Sequence, residues 1–420
     1  MGGKKGDEPD WLARSSQARP LWKMRIFRAG MVFDGEVLRP GTEVLVDDGG
    51  RVIEVRPVQP APGGAQMIDH GPGATLLPGL VDGHQHLSWG CTPNAQDGIP
   101  DDPADQRTQA IANARRALAG GVTTIQDLGD SDYAVVEVRD GTRGELTLPR
   151  ILASGPPITT LGGHCHFLAG APTAPADLAA AVRRRAERGA DVIKVMVSGG
   201  NVTPGSLPWE SQFDEEALRA LVDAAAAAGL PVAAHAHAAG ALRACVAAGV
   251  HSVEHCTFMT ADGVDHDPAL LRDLADSRIV VRTTPGSVPG GPPPAPAIAA
   301  RMHQIIHGLR ALQESGARLV VSTDAGVGPG KPHDAMAYAV IQLGGATEDP
   351  AGALRAATSR AADALGLADT CGRLAPGRAG DLLVVRGDAV SDLGALLEVE
   401  AVYREGEQVA GPSSRPRPRG

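Results

Sequence analysis

Aromatic side chains are scarce in this chain, with five Phe, four Trp and three Tyr among 420 residues, so Ala, Val and Leu must fill its interior. Cysteine is also sparse. Five residues (Cys91, Cys165, Cys245, Cys256, Cys371) are odd in number, scattered and without CxxC spacing. That pattern argues against a disulfide framework and fits reduced thiols, so a cytoplasmic location is expected. No apolar stretch is long and unbroken enough to span a bilayer. The opening residues show neither a signal-peptide pattern nor, with Gly6 where Ser or Thr is required, a myristoylation pattern. Positive charge is in deficit as well. A net charge of −10 leaves no basic stripe for phosphates and argues against a nucleic-acid partner. What is left is an ordinary soluble composition, 43% apolar and 21% charged, long enough for one large domain and a smaller one.

The termini, residues 1–20 and 411–420, carry no apolar periodicity and read as disordered tails. From Met24 to about Ile68 short strands alternate with turns, at Lys23–Phe27, Glu43–Val46 and Arg51–Arg56. Asp47-Asp48-Gly49-Gly50 is the hairpin signal between two of them. From about Leu76 strands alternate with Ala- and Leu-rich helical stretches. The strands read as 75–87, 122–128, 150–155, 191–198, 231–237, 252–256, 278–284 and 317–323. Eight such repeats predict an α/β fold of the (β/α)8 TIM-barrel type over residues 76–370. An open doubly wound sheet is disfavoured, because no GxGxxG follows the first strand and polar signals recur at many strand ends. Residues 371–410 return to the turn-and-strand pattern and are expected to pair with 21–75 in one small, discontinuous β-sandwich domain. Pro285–Pro296, with six prolines, reads as a loop on the catalytic face.

The most informative motif is Pro78-Gly79-Leu80-Val81-Asp82-Gly83-His84-Gln85-His86. Side chains at i and i+2 of a strand share a side, so His84 and His86 can meet one metal ion. Taken alone the pair could equally be two satisfied core histidines. Other strand ends carry compatible groups: Lys194 inside an apolar run, His235-Ala236-His237, Glu254-His255 and Thr323-Asp324. Barrel enzymes place their chemistry at the strand C-termini, and so many coincident signals are hard to explain structurally.

These motifs, with Gly121-Val122-Thr123-Thr124, Gly162-Gly163-His164 and the return Leu374-Ala375-Pro376-Gly377-Arg378-Ala379-Gly380-Asp381-Leu382, resemble the metal-dependent amidohydrolase superfamily. The match is to the branch of imidazolonepropionase-like and prolidase-like (Xaa-Pro dipeptidase-type) enzymes and spans roughly residues 24–410. The resemblance implies two divalent metal ions, with zinc favoured and manganese, cobalt or iron as alternatives. His84, His86 and Asp324 would hold the first and His235 and His255 the second. Lys194 would bridge them as N6-carboxylysine. Asp324 would serve as general base and then acid toward a metal-bridging hydroxide. His164 and His237 would face the substrate, while Cys165 and His166 would have no catalytic role.

The implied reaction is hydrolysis of a C–N bond in a small-molecule amide, cyclic amide or dipeptide-like compound. Asn201 and Arg282 are candidate substrate contacts, although Arg282 could instead form a salt bridge in the barrel wall. The alternatives are a mononuclear deaminase or amidine hydrolase, which the presence of Lys194 disfavours, and a non-hydrolytic biosynthetic reaction. A non-catalytic scaffold is the weakest reading, since all the expected ligand positions are filled. Relatives of this kind frequently form homo-oligomers, and nothing in the sequence marks an interface.

Overall fold

The computed structural model describes residues 24–168 and 177–417; the tail read at 1–20 lies outside the described residues. The chain opens with β1 (Arg25–Arg28), β2 (Met31–Phe33), β3 (Leu38–Pro40), β4 (Thr42–Val46), β5 (Val52–Pro57), β6 (Gln66–Asp69) and β7 (Ala74–Pro78). Eight strands then alternate with helices: β8 (Leu80–Gln85), β9 (Val122–Asp127), β10 (Arg150–Ala153), β11 (Ile193–Met196), β12 (Val232–Ala238), β13 (Ser252–Met259), β14 (Val280–Thr283) and β15 (Arg318–Val321). After three further helices the chain closes with β16 (Leu382–Arg386), β17 (Glu398–Arg404), β18 (Glu407–Ala410) and β19 (Ser413–Ser414).

The apolar run read as one strand over 75–87 is two strands in different sheets. β7 runs antiparallel to β16 and parallel to β2, whereas β8 runs parallel to β9. The break falls at Gly79, where a Cβ would meet Thr123 Oγ1 at 2.2 Å, so only glycine lets the two layers approach this closely. The terminal segments do meet. β16 and β17 extend the sheet containing β7, β2 and β3, and β1, β4, β5 and β6 form a second sheet. Phe27, Val44, Leu76, Leu382, Val384 and Tyr403 join the two sheets in one apolar cluster. Residues 411–417 are not the tail expected of them: Ser413–Ser414 pair with β17, and Arg415 bonds Asp334 at 3.0 Å. Backbone pairing and an ion pair override a composition that favours disorder.

Strands β8, β9, β11 and β12 are buried at every residue, as parallel strands covered on both faces must be. Their hydrogen-bonded ladders form a three-stranded sheet, β10-β9-β8, and a five-stranded sheet, β11-β12-β13-β14-β15, rather than one continuous ring. Two isolated parallel bridges, Ile158 with Val195 and Gln85 with Ala325, span the gaps between them. The connecting helices start where the sequence supplies caps. Asp102, Asp214 and Asp267 each accept a first-turn amide, and Pro103 and Pro268 occupy first helical positions. All five cysteines are free.

Candidate metal centre

The C-terminal ends of the parallel strands bring two groups of donors together. His84, His86 and Asp324 form one, and His235, His237 and His255 the other, with the ligand atoms of each group within 4.8 Å of one another. In the first, Asp324 Oδ1 lies 3.4 Å from His84 Nε2 and 3.2 Å from His86 Nε2. The second contains His237 beside the two histidines that the sequence reading assigned to a metal. The rings of His237 and His255 stack at 4.5 Å.

Partners behind the rings fix which nitrogen is free. His84 Nδ1 lies 2.8 Å from Glu254 Oε2 and His86 Nδ1 donates to Gly129 O at 3.1 Å, so both present Nε2 lone pairs. His235 is reversed: Nε2 donates to Gly199 O at 3.0 Å and leaves Nδ1 free. The Nδ1 atoms of His237 and His255 engage the hydroxyls of Thr257 and Thr284 at 2.9 and 2.7 Å. Such outer partners orient metal-binding imidazoles and set their tautomers. Burial favours the neutral form of His84, His235, His237 and His255. It lowers His84 and His237 to about 4 and carries His235 and His255 well below the ordinary imidazole value. Neutral imidazole is the ligating form.

Lys194 is fully buried on β11, and its Nζ has no hydrogen-bond partner among the described residues. Burial lowers its pKa, against the opposing pull of Glu254 and Asp324. An unpaired amine beside two carboxylates and several imidazoles is the orphaned polar group that a metal-bridging modification would satisfy. Burial alone would raise the Asp324 carboxyl, but its imidazole neighbours His84 and His86 and the positive charge of Lys331 outweigh this and hold it below the usual carboxylate range. The donor set therefore fits divalent cations.

His164 is brought to the same place, its ring 4.6 Å from that of His235 and its Nδ1 unpaired among the described residues. Burial lowers it to about 3. Cys165 is buried with its thiol pushed up to about 12, and His166 bonds back to Gly163 O at 2.9 Å. Neither is poised for chemistry.

The two substrate-binding candidates have different surroundings. Arg282 is buried in β14 and donates to Glu254 Oε1 at 2.8 Å, so it forms the wall salt bridge instead of meeting a substrate carboxylate. Asn201 is exposed on the loop after β11. Glu254 is the functional residue that the sequence reading left without a role. Its carboxyl is raised by burial, yet Arg282 and His84 outweigh this and bring it down to about 2. Glu254 adjoins His255, and strict strand alternation would send the two to opposite faces. The backbone is left-handed at His255 (φ 70°), Cys256 and Phe258, which breaks the alternation and lets both residues serve the centre.

A model of the amidohydrolase family matches residues 75–409. The chain belongs to this family, and it is a hydrolase of carbon–nitrogen bonds. It is 26% identical to an ochratoxinase of Aspergillus niger, over 97% of this chain and 92% of that protein. It is 29% identical to an imidazolonepropionase of Salinispora tropica, over 83% of this chain and 86% of the relative. Among solved structures, a Xaa-Pro dipeptidase with methionine bound in its active site superposes with a TM-score of 0.80 at 27% identity, covering 92% of this chain and 99% of that one.

Proposed function

We propose that the protein is a binuclear metal-dependent amidohydrolase cleaving an amide, cyclic amide or dipeptide-like bond in a small molecule. Its eight parallel strands would form a (β/α)8 barrel, a reading supported by the two bridges linking the sheets, with a β-sandwich made from the terminal segments. His84, His86 and Asp324 would hold one cation, and His235 and His255 the other. Zinc suits this donor set, and manganese, cobalt and iron share it. The unpaired, buried Nζ of Lys194 carries the proposal. As a free base its lone pair adds to the carbon of carbon dioxide, and the nitrogen gives up one proton. The product is a carbamate anion whose two oxygens suit a pair of cations, where an ammonium would repel them.

When bound, the cations would polarise the scissile carbonyl and acidify water enough for attack near neutral pH. The chain's own groups manage the protons. Asp324, kept ionised by its neighbours, takes a proton from the attacking water and passes it to the leaving nitrogen. His164, neutral and with an open ring nitrogen, donates a hydrogen bond to the carbonyl oxygen as negative charge develops there. His237 contributes likewise when the Thr257 hydroxyl donates to Nδ1 and leaves the proton on Nε2.

The test is metal content per chain, on protein prepared without chelator, with and without bicarbonate. About two metals, falling in Lys194→Ala, support this reading and justify a screen of dipeptides and cyclic amides. One metal indifferent to Lys194 favours mononuclear chemistry, and none after reconstitution overturns the proposal.

A further inference from the structure

Lys331 lies seven residues beyond Asp324 in a glycine-rich loop and is consumed by a task that neither the metal ligands nor the fold explains. Its Nζ is 2.6 Å from Thr284 O, 2.7 Å from Thr323 O and 3.2 Å from Pro285 O. An ammonium has three protons and no lone pair, so three main-chain carbonyls satisfy it completely. The carbonyls belong to two strand ends. Thr284 and Pro285 follow β14, and Thr323 follows β15. Their oxygens converge on one partly buried point, where a donor with three protons satisfies all of them at once.

Each strand end carries a donor-group residue or its support. The hydroxyl of Thr284 bonds His255 Nδ1 at 2.7 Å, so the carbonyl held by Lys331 belongs to the residue that orients a histidine of the second donor group. Thr323 precedes Asp324, whose backbone is left-handed at φ 59°, a costly conformation for a residue with a Cβ. Asp82 anchors that turn through the Thr323 amide and hydroxyl, and further hydrogen bonds hold it: Asp324 N to His84 O at 2.8 Å, Gly326 N to Lys331 O at 2.9 Å and Lys331 Nζ to Thr323 O. Lys331 thus grips the turn with both its main chain and its side chain.

We infer that Lys331 is a positioning residue, a tethered cation standing where a free monovalent ion could otherwise sit, which locks the ends of β14 and β15 and so aims Asp324 and His255 together. The consequence for metal binding rests on the binuclear reading above; the cation site does not.

The experiment uses Lys331→Ala and Lys331→Met, with methylammonium chloride as the rescuing probe and tetramethylammonium chloride as the control. In metal-free protein, methylammonium is expected to raise the thermal midpoint of Lys331→Ala and to leave the wild type and Lys331→Met, whose side chain still fills the space, unmoved. In cobalt titrations the wild type should take up about two ions. Lys331→Ala should bind the second at least tenfold more weakly with an altered visible spectrum, and methylammonium should restore both. Unchanged affinity and spectrum in Lys331→Ala would overturn the inference, as would losses that no cation reverses. If Lys331→Ala is insoluble alone, folding on addition of methylammonium supports the inference, and insolubility in every salt overturns it. A wild type that binds no cobalt defeats the binuclear reading alone, because the metal-free rescue still decides the cation site.

Discussion

Glu254 Oε2 lies 2.8 Å from His84 Nδ1, while its other oxygen accepts Arg282 Nη1 at 2.8 Å, all three side chains being buried. The carboxylate therefore sets the tautomer of a histidine in the first donor group while being neutralised from behind. Glu254→Gln should weaken metal binding about 10–100-fold, the usual cost of losing such an outer partner. Arg282→Met leaves a buried charge unpaired and should destabilise the fold by about 3–5 kcal/mol. Metal titration and urea denaturation separate the two effects. An Arg282→Met protein of wild-type stability would show that Glu254 does not need its partner.

Asp324→Asn removes the proton acceptor and preserves the shape of the side chain. Turnover should be abolished with most of the fold intact, as circular dichroism and a thermal melt would report. Near-wild-type activity would end the assignment of Asp324 as base.

Gly200 is tested by a single methyl group. A Cβ there would come within 2.3 Å of His164 Nε2, so Gly200→Ala must displace the ring. If His164 stabilises the transition state, kcat should fall about 100-fold, the lower end of what losing one oxyanion donor costs, with metal content unchanged. Loss of metal together with activity would instead make Gly200 part of the binding framework.

Asp130 provides a pH-dependent prediction. Burial, reinforced by the charge of Asp127, raises its carboxyl well above the usual value of 3.8, and its Oδ1 has no partner among the described residues. Above pH 3.8 the unfolded chain releases a proton that the folded chain keeps, so this residue lowers stability progressively as pH rises toward its folded pKa. Asp130→Asn should be more stable than the wild type near pH 7, with the advantage shrinking toward pH 4. Denaturant titrations at several pH values would show it, and an advantage independent of pH would contradict the linkage.

Much of the centre is legible in the sequence because strand periodicity carries it. His84 and His86, like His235 and His237, sit two apart, and each pair does converge. Gln85 points away, as the same periodicity requires, and bonds Asp82 Oδ2 at 2.8 Å. Arg282 was less legible, because a cation inside a strand has the same signature whether it meets a substrate or a neighbouring strand.

The sequence alone determined the alternation of strands and helices, the return of the C-terminal segment and the presence of histidines and a carboxylate at the strand ends, since these follow from local hydrophobic pattern and side-chain chemistry. Tertiary structure decided the rest. The break at Gly79 depends on the approach of Thr123 from another strand. The role of Glu254 depends on left-handed backbone at the end of β13, which no periodicity reveals. Lys331 acquires its place because three carbonyls from two strand ends far apart in sequence converge on one partly buried point, which only the folded chain can assemble.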